Sequence, residues 1–214
     1  MNLKSKAFLI LLLIVFSMTI LLVILSYFFV DREVSTWVYE KQLRRFAFLN
    51  WFSEIAKYLN ALSAFSLIYF GIKRLWKNGK IPEQGLLAVA LSSIFASVIT
   101  DSSKAFFGRY WPETWIQNNP SWIQNKAYGF HFFHVGWSYF SFPSGHTAII
   151  VAVGTMIWLV FPKWRLLSLL LITLEVMGLV GMNFHFVGDV IGGAFIGWLV
   201  ALFVYHYLIP NRAT

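Results

Sequence analysis

The chain has 214 residues, of which 58% are hydrophobic, 19% aromatic and 12% charged, with a formal net charge of +8 and no cysteine. A soluble domain carries about 25% charged residues, so this composition points to a membrane protein, and the lack of cysteine excludes disulfides, thiolate metal sites and a cysteine nucleophile. The positive charge does not point to nucleic acid, because the basic residues fall between apolar runs, where membrane topology signals lie.

Ala7 to Val30 runs without a charge, behind Lys4 and Lys6, and is long enough to span a bilayer. It is too long for a secretory h-region and lacks a clear small-residue cleavage site, so it reads as a retained helix. Residues 31–57 mix both charge signs with Trp37, Tyr39, Phe46, Phe48, Trp51 and Phe52, the pattern of an amphipathic interfacial helix. A second span is expected over 58–75, followed by a linker crowded with Lys73, Arg74, Lys77 and Lys80, and a third over 86–100. Residues 101–140 form a long segment, polar and then aromatic. The fourth span covers 146–161. The basic turn Pro162-Lys163-Trp164-Arg165 leads to the fifth, 166–184, and the sixth covers 187–209.

The expected fold is therefore all-α, a polytopic six-transmembrane-helix bundle with an interfacial helix after the first span, as one domain over 1–214. Positive charge is densest at the N-terminus, over 73–80 and at Lys163 with Arg165, which assigns these to the cytoplasm. The 31–57 and 101–140 segments and the 184–187 turn then share the outer, periplasmic side of a cell (inner) membrane, although Arg32, Lys41, Arg44, Arg45 and Lys57 run against that rule.

Three polar constellations fall on that outer side. Lys104 and Arg109 follow the third span within Lys-Ala-Phe-Phe-Gly-Arg-Tyr-Trp-Pro. Pro143-Ser144-Gly145-His146 opens the fourth, where Ser144 suits a cap and Gly145 lets a ligand approach the free N–H groups of a first turn. His185 and Asp189, four apart, open the sixth and share one helix face. The carboxylate can hold one imidazole nitrogen and leave the other aimed outward. Two cations, a helix-start anion site and two histidines suit attack on a phosphoryl group, with one imidazole as nucleophile and the other protonating the leaving oxygen.

These motifs, in this order and in this frame, resemble the type 2 phosphatidic acid phosphatase (PAP2) superfamily of membrane phosphatases. The resemblance implies metal-independent hydrolysis of a phosphate ester or anhydride, without a cofactor. It makes His185 the residue that becomes phospho-histidine, Asp189 its orienting carboxylate and His146 the general acid. Lys104, Ser144 and the Gly145 backbone would bind phosphate, with Arg109 beside them. Two positions depart from the family pattern. An arginine is expected before Pro112, where Trp111 stands, and a Ser-Arg pair is expected at Gly178-Leu179. Asn183, or a residue of the 101–140 loop, is the candidate to supply part of the missing contacts.

Other polar residues have plainer readings. His131 and His134 sit in an aromatic loop with few acids nearby, which suits an interfacial wall of a substrate groove better than a metal site, and no metal is expected. Trp115-Ile-Gln-Asn and Trp122-Ile-Gln-Asn repeat seven apart and read as two amphipathic surface turns or as a lid. Glu175 lies mid-span, about 15 Å below His185 at 1.5 Å per residue, and reads as a hydrogen-bonded interior residue. Gly188, Gly192, Gly193 and Gly197 suit close helix packing.

The expected function is a membrane lipid phosphatase acting on a polyprenyl diphosphate, phosphatidylglycerol phosphate, phosphatidate or lipid A type substrate. Its partners are the lipid phosphate and the bilayer, with no obligatory protein partner. The absent arginines keep two alternatives open: a catalytically weak phospholipid-binding or lipid-moving protein, and a lipid phosphotransferase.

Overall fold

The structure, a computed structural model, describes residues 6–77 and 84–209. Lys4 and Lys80, two of the topology signals, lie outside the described residues. Helices follow one another as α1 (Lys6–Leu25), α2 (Asp31–Glu40), α3 (Ala47–Ser53), α4 (Ile55–Lys77), α5 (Gln84–Phe107), α6 (Trp122–Asn125), α7 (Gly145–Val160), α8 (Arg165–Gly181) and α9 (Val187–Leu208). The chain is an all-α membrane protein. Among the described residues, five helical stretches are long and apolar enough to cross a bilayer: Lys6–Glu40, Ala47–Lys73, Gln84–Phe107, Pro162–Gly181 and Val187–Leu208.

The expected fourth span, α7, has 16 residues, about 24 Å of helix against a hydrocarbon core of about 30 Å. The count of six spans is thus not reached by length. The short helix is the innermost one and packs against α4, α5, α8 and α9. Ala88 and Ala96 of α5, Ala148, Ala152 and Met156 of α7, and Val200, Ala201 and Val204 of α9 form a core of small side chains. A Cβ on Gly193 or Gly197 would collide with the carbonyls of Ser144 and Ala148. The glycines therefore let α9 lie against the α7 backbone, as the small-residue spacing suggests.

Polar side chains within the spans are satisfied locally. Ser63, Ser92, Thr100 and Thr173 each donate to the carbonyl four residues earlier, which removes the cost of a bare hydroxyl in hydrocarbon.

Several boundaries differ from expectation. The first helix does not stop at Val30; a π-helical turn, Ser26–Val30, carries it into α2. The third does not stop at Asp101 but runs to Phe107, helped by the Asp101–Lys104 ion pair one turn apart (2.8 Å) and by a lysine near the negative helix end. The 31–57 stretch is two helices, not one: α2, and α3 packed against α8. Of the two Trp-Ile-Gln-Asn repeats only the second is helical, because Ser121 caps it; at the first, Gln117 and Asn118 turn into the left-handed region.

Gly85 meets Val160 and Phe161 at one end of the bundle. At the other end the tips of α1, α5 and α8 meet the starts of α4, α7 and α9.

Candidate active site

Ser144 is the N-cap of α7, and its Oγ accepts from Thr147 N (3.3 Å) and Thr147 Oγ1 (3.0 Å). The residue is buried, so its hydroxyl serves the helix. Ser144 N–H also donates to Asp189 O (3.0 Å), which locks the start of α7 to the start of α9. Lys104 of α5 reaches this point: its Nζ lies 3.5 Å from where a Gly145 Cβ would be. An ammonium and the N–H groups of a helix start thus converge, an arrangement that favours negative charge.

His185 precedes α9 and Asp189 sits in its first turn. His185 Nδ1 stands 3.5 Å from Asp189 Oδ2 and is buried without a hydrogen-bond partner. The carboxylate is already heavily bonded. Its Oδ2 accepts from Ser141 Oγ (2.6 Å) and Phe186 N (2.9 Å), and its Oδ1 accepts from Arg109 Nη1 (2.5 Å).

Arg109 is therefore not placed to bind phosphate. It is fully buried, with Nη2 donating to Asp31 Oδ2 (2.5 Å) and to Tyr128 Oη (3.2 Å). Its guanidinium lies among the rings of Tyr27, Tyr128, Phe130 and Phe186. Burial disfavours its charge, but Asp189 and Asp31 outweigh that and hold it protonated well above its ordinary range. Asp31 in turn accepts from Ser26 Oγ (2.6 Å) and Gly188 N (2.9 Å). This buried acid–arginine–acid chain joins the start of α2, the loop after α5 and α9 behind His185. Asp31 and Ser141 were missed in the sequence. The signal for Asp31 is its place as the first charge after the first apolar run.

The two positions where arginines were expected are apolar and filled. Trp111 is buried, donates from Nε1 to Trp137 O (2.6 Å) and packs its ring against His185 at a centroid distance of 5.4 Å. Leu179 is buried, and its carbonyl accepts from Phe184 N (3.0 Å) and His185 N (3.4 Å), which shapes the turn that carries His185. Asn183 does not face a phosphate either. It adopts the left-handed region (φ 55°), and its Nδ2 donates to Ser35 O (3.1 Å) and Glu113 Oε2 (3.2 Å). Glu113 also pairs with Arg44 (2.8 Å), so this cluster ties the outer loop to α2 and to the turn before α9.

His146 follows Gly145 in the first turn of α7, and Ile149 and Ile150 of the same helix pack with Ile55, Ala56 and Leu59 at the start of α4, beside Glu54 and Lys57. Glu54 and Lys57 belong to a stretch read as interfacial, and the sequence offers no sign that they approach α7. Glu175 is fully buried, and its Oε2 accepts from Ala56 N (2.8 Å), so it caps α4 from α8. His131 and His134 pack against Tyr139, with Tyr110 on His131, as part of an aromatic rim.

A family model described as the PAP2 superfamily matches residues 85–213, from α5 through α9 and all three motifs. No curated protein matches the chain. Among solved structures, the chain is similar to the crystal structure of a transmembrane PAP2 type phosphatidylglycerolphosphate phosphatase from Bacillus subtilis. The identity is 17% and the TM-score 0.47, over 92% of this chain and 94% of that one.

Proposed function

The chain belongs to the PAP2 superfamily, and from that premise we propose that it is an integral-membrane lipid phosphatase with a single site formed by α5, α7 and α9. The observation that carries this reading is the meeting of Lys104 with the free start of α7 at Gly145, next to His146, where Ser144 N–H bonds the start of α9 that follows His185.

In the proposed reaction the outward nitrogen of His185 attacks phosphorus. The bond from phosphorus to the leaving oxygen breaks, and His146 gives that oxygen its proton. Asp189 orients the imidazole from behind, and the 3.5 Å separation tightens as positive charge develops on the ring. Lys104 and the N–H groups of the first turn of α7 stabilise the phosphoryl oxygens. Water then attacks the phospho-histidine, the P–N bond breaks, and inorganic phosphate leaves. No step needs a metal or cofactor.

The lipid tail has a place beside the site. An apolar cavity of about 490 Å³ runs between α1 and α9, lined among others by Ile20, Phe107, Phe142, Pro143 and Phe195. Pro143 and Phe142 directly precede Ser144, so a tail there delivers its headgroup to the start of α7. The charge pattern of the short loops supports a site on the outer, periplasmic face of the cell membrane.

Phosphate release from a panel of lipid phosphates in detergent with EDTA is the test. Wild type should release phosphate without added metal, and His185→Ala should lose activity by on the order of a thousandfold or more. Equal release by the two proteins overturns the enzyme reading in favour of a lipid-binding protein. Transfer of phosphate to an added lipid or sugar acceptor, with none to water, identifies a phosphotransferase.

A further inference from the structure

With Trp111 and Leu179 apolar and Arg109 and Asn183 committed to buried contacts, the site described above retains Lys104 as its phosphate cation. The start of α4 brings a second one. Ile55, Ala56 and Leu59 of α4 pack with Ile149 and Ile150 of α7. Ile149 and Ile150 follow His146 by three and four residues, so they share its face of α7. The first turn of α4 therefore packs on the face of α7 that bears His146, one turn further along the helix.

The register against α5 agrees. Ser93 Oγ donates to Asn60 Oδ1 (2.9 Å). One turn from Asn60 toward the site is Lys57, and one turn further is Glu54. On the antiparallel α5 the same steps lead from Ser93 to residues 96–97 and then to Thr100 and Asp101. Thr100 and Asp101 are the residues, with Lys104, that border Gly145. Glu54 thus stands at the level where α7 begins, and the backbone of Lys57 one turn below it. Lys57 Nζ is drawn toward the site end by Glu54 Oε2 (2.6 Å), and its side chain remains 64% exposed. The arrangement repeats the Asp101–Lys104 pair, also one turn apart.

Two features hold the start of α4 there. Glu175 accepts from Ala56 N inside the bundle. Gly178, at the position where the family pattern has serine, lets the backbone of α3 lie on α8: a Cβ would collide with Ser53 N and Leu49 O.

We propose that Lys57 is a phosphate-binding residue of this protein, delivered by the α3–α4 segment in place of the arginines absent at Trp111 and Leu179, with Glu54 as its positioning residue. Glu54 holds the ammonium until an anion arrives, as Asp101 holds Lys104. The proposal rests on the phosphatase reading for its catalytic consequence, but phosphate binding can be measured without turnover.

Binding of inorganic phosphate to the purified full chain in detergent is measured by calorimetry, together with the thermal melt, for wild type, Lys57→Ala and Lys57→Arg. Lys57→Ala should weaken phosphate about 10- to 100-fold, the size of one charge-assisted hydrogen bond. Lys57→Arg should recover most of that loss, and both variants should melt within a degree or two of wild type because the side chain is exposed. If wild type hydrolyses lipid phosphates, kcat/KM follows the same order. If it hydrolyses none yet Lys57→Ala still weakens phosphate, the phosphatase reading fails and the Lys57 assignment stands. Unchanged phosphate affinity in Lys57→Ala, a loss that Lys57→Arg does not restore, or a wild type that binds no phosphate overturns the assignment.

Discussion

Arg109 shows what burial does to a cation behind the candidate site. A guanidinium held by two carboxylates and four rings is a scaffold, because removing it strands Asp31 and Asp189 together without compensation. Breaking a buried ion pair of this kind costs about 3–5 kcal/mol. Arg109→Lys should therefore lower the melting temperature sharply, since one ammonium cannot fork between Asp31 and Asp189. Lys104→Ala should leave the melt nearly unchanged and act on kcat/KM. Thermal melts in detergent beside lipid phosphatase assays separate the two. Glu175 makes the converse point: a buried acid near the site with a purely architectural bond. Glu175→Gln keeps an oxygen for Ala56 N–H, so hydrolysis should persist within a few-fold; a folded but dead Glu175→Gln protein refutes this role.

At the scale of elements, α3 and its seat on α8 position the start of α4. In a free helix, Gly→Ala stabilises by up to about 1 kcal/mol. Gly71 of α4 has no atom within 4 Å of a prospective Cβ and should follow that rule. Gly178→Ala should do the opposite, costing about 1–3 kcal/mol as α3 is pushed off α8, with phosphate affinity falling alongside if Lys57 moves with it. Denaturation of both variants reads this contrast. The sequence could not foresee the seat. A glycine and a leucine where Ser-Arg was expected read as two losses, whereas the glycine admits a backbone and the leucine carbonyl shapes the His185 turn. Asn183 was likewise the candidate, with the 101–140 loop, to supply part of the missing arginine contacts. Its left-handed backbone turns it toward Ser35 and Glu113 instead.

For the molecule as a whole, the site lies at one end of a bundle whose lipid-facing helix α1 packs on α9. That pairing creates the apolar cavity beside Pro143. Ile20→Trp should fill part of it. The expected result is a raised KM for long-chain lipid phosphates with little change for a short-chain soluble analogue, measured as a chain-length series. An equal effect on both would mean that the tail lies elsewhere.

Hydropathy and charge spacing were enough to place the apolar helices, because hydrocarbon tolerates long uncharged helices and almost nothing else. The three motifs were enough to identify the family, since Lys104, the Ser144-Gly145-His146 helix start and the His185–Asp189 pair are each short and local. Local spacing cannot report which side chains far apart in the chain become neighbours. Arg109 became a buried strut only when the start of α2 brought Asp31 to it. The packing of the start of α4 on α7, beside an α3 seated on α8, is likewise a contact between segments far apart in the chain. The central place of α7, packed against α4, α5, α8 and α9, was likewise decided by contacts between distant segments.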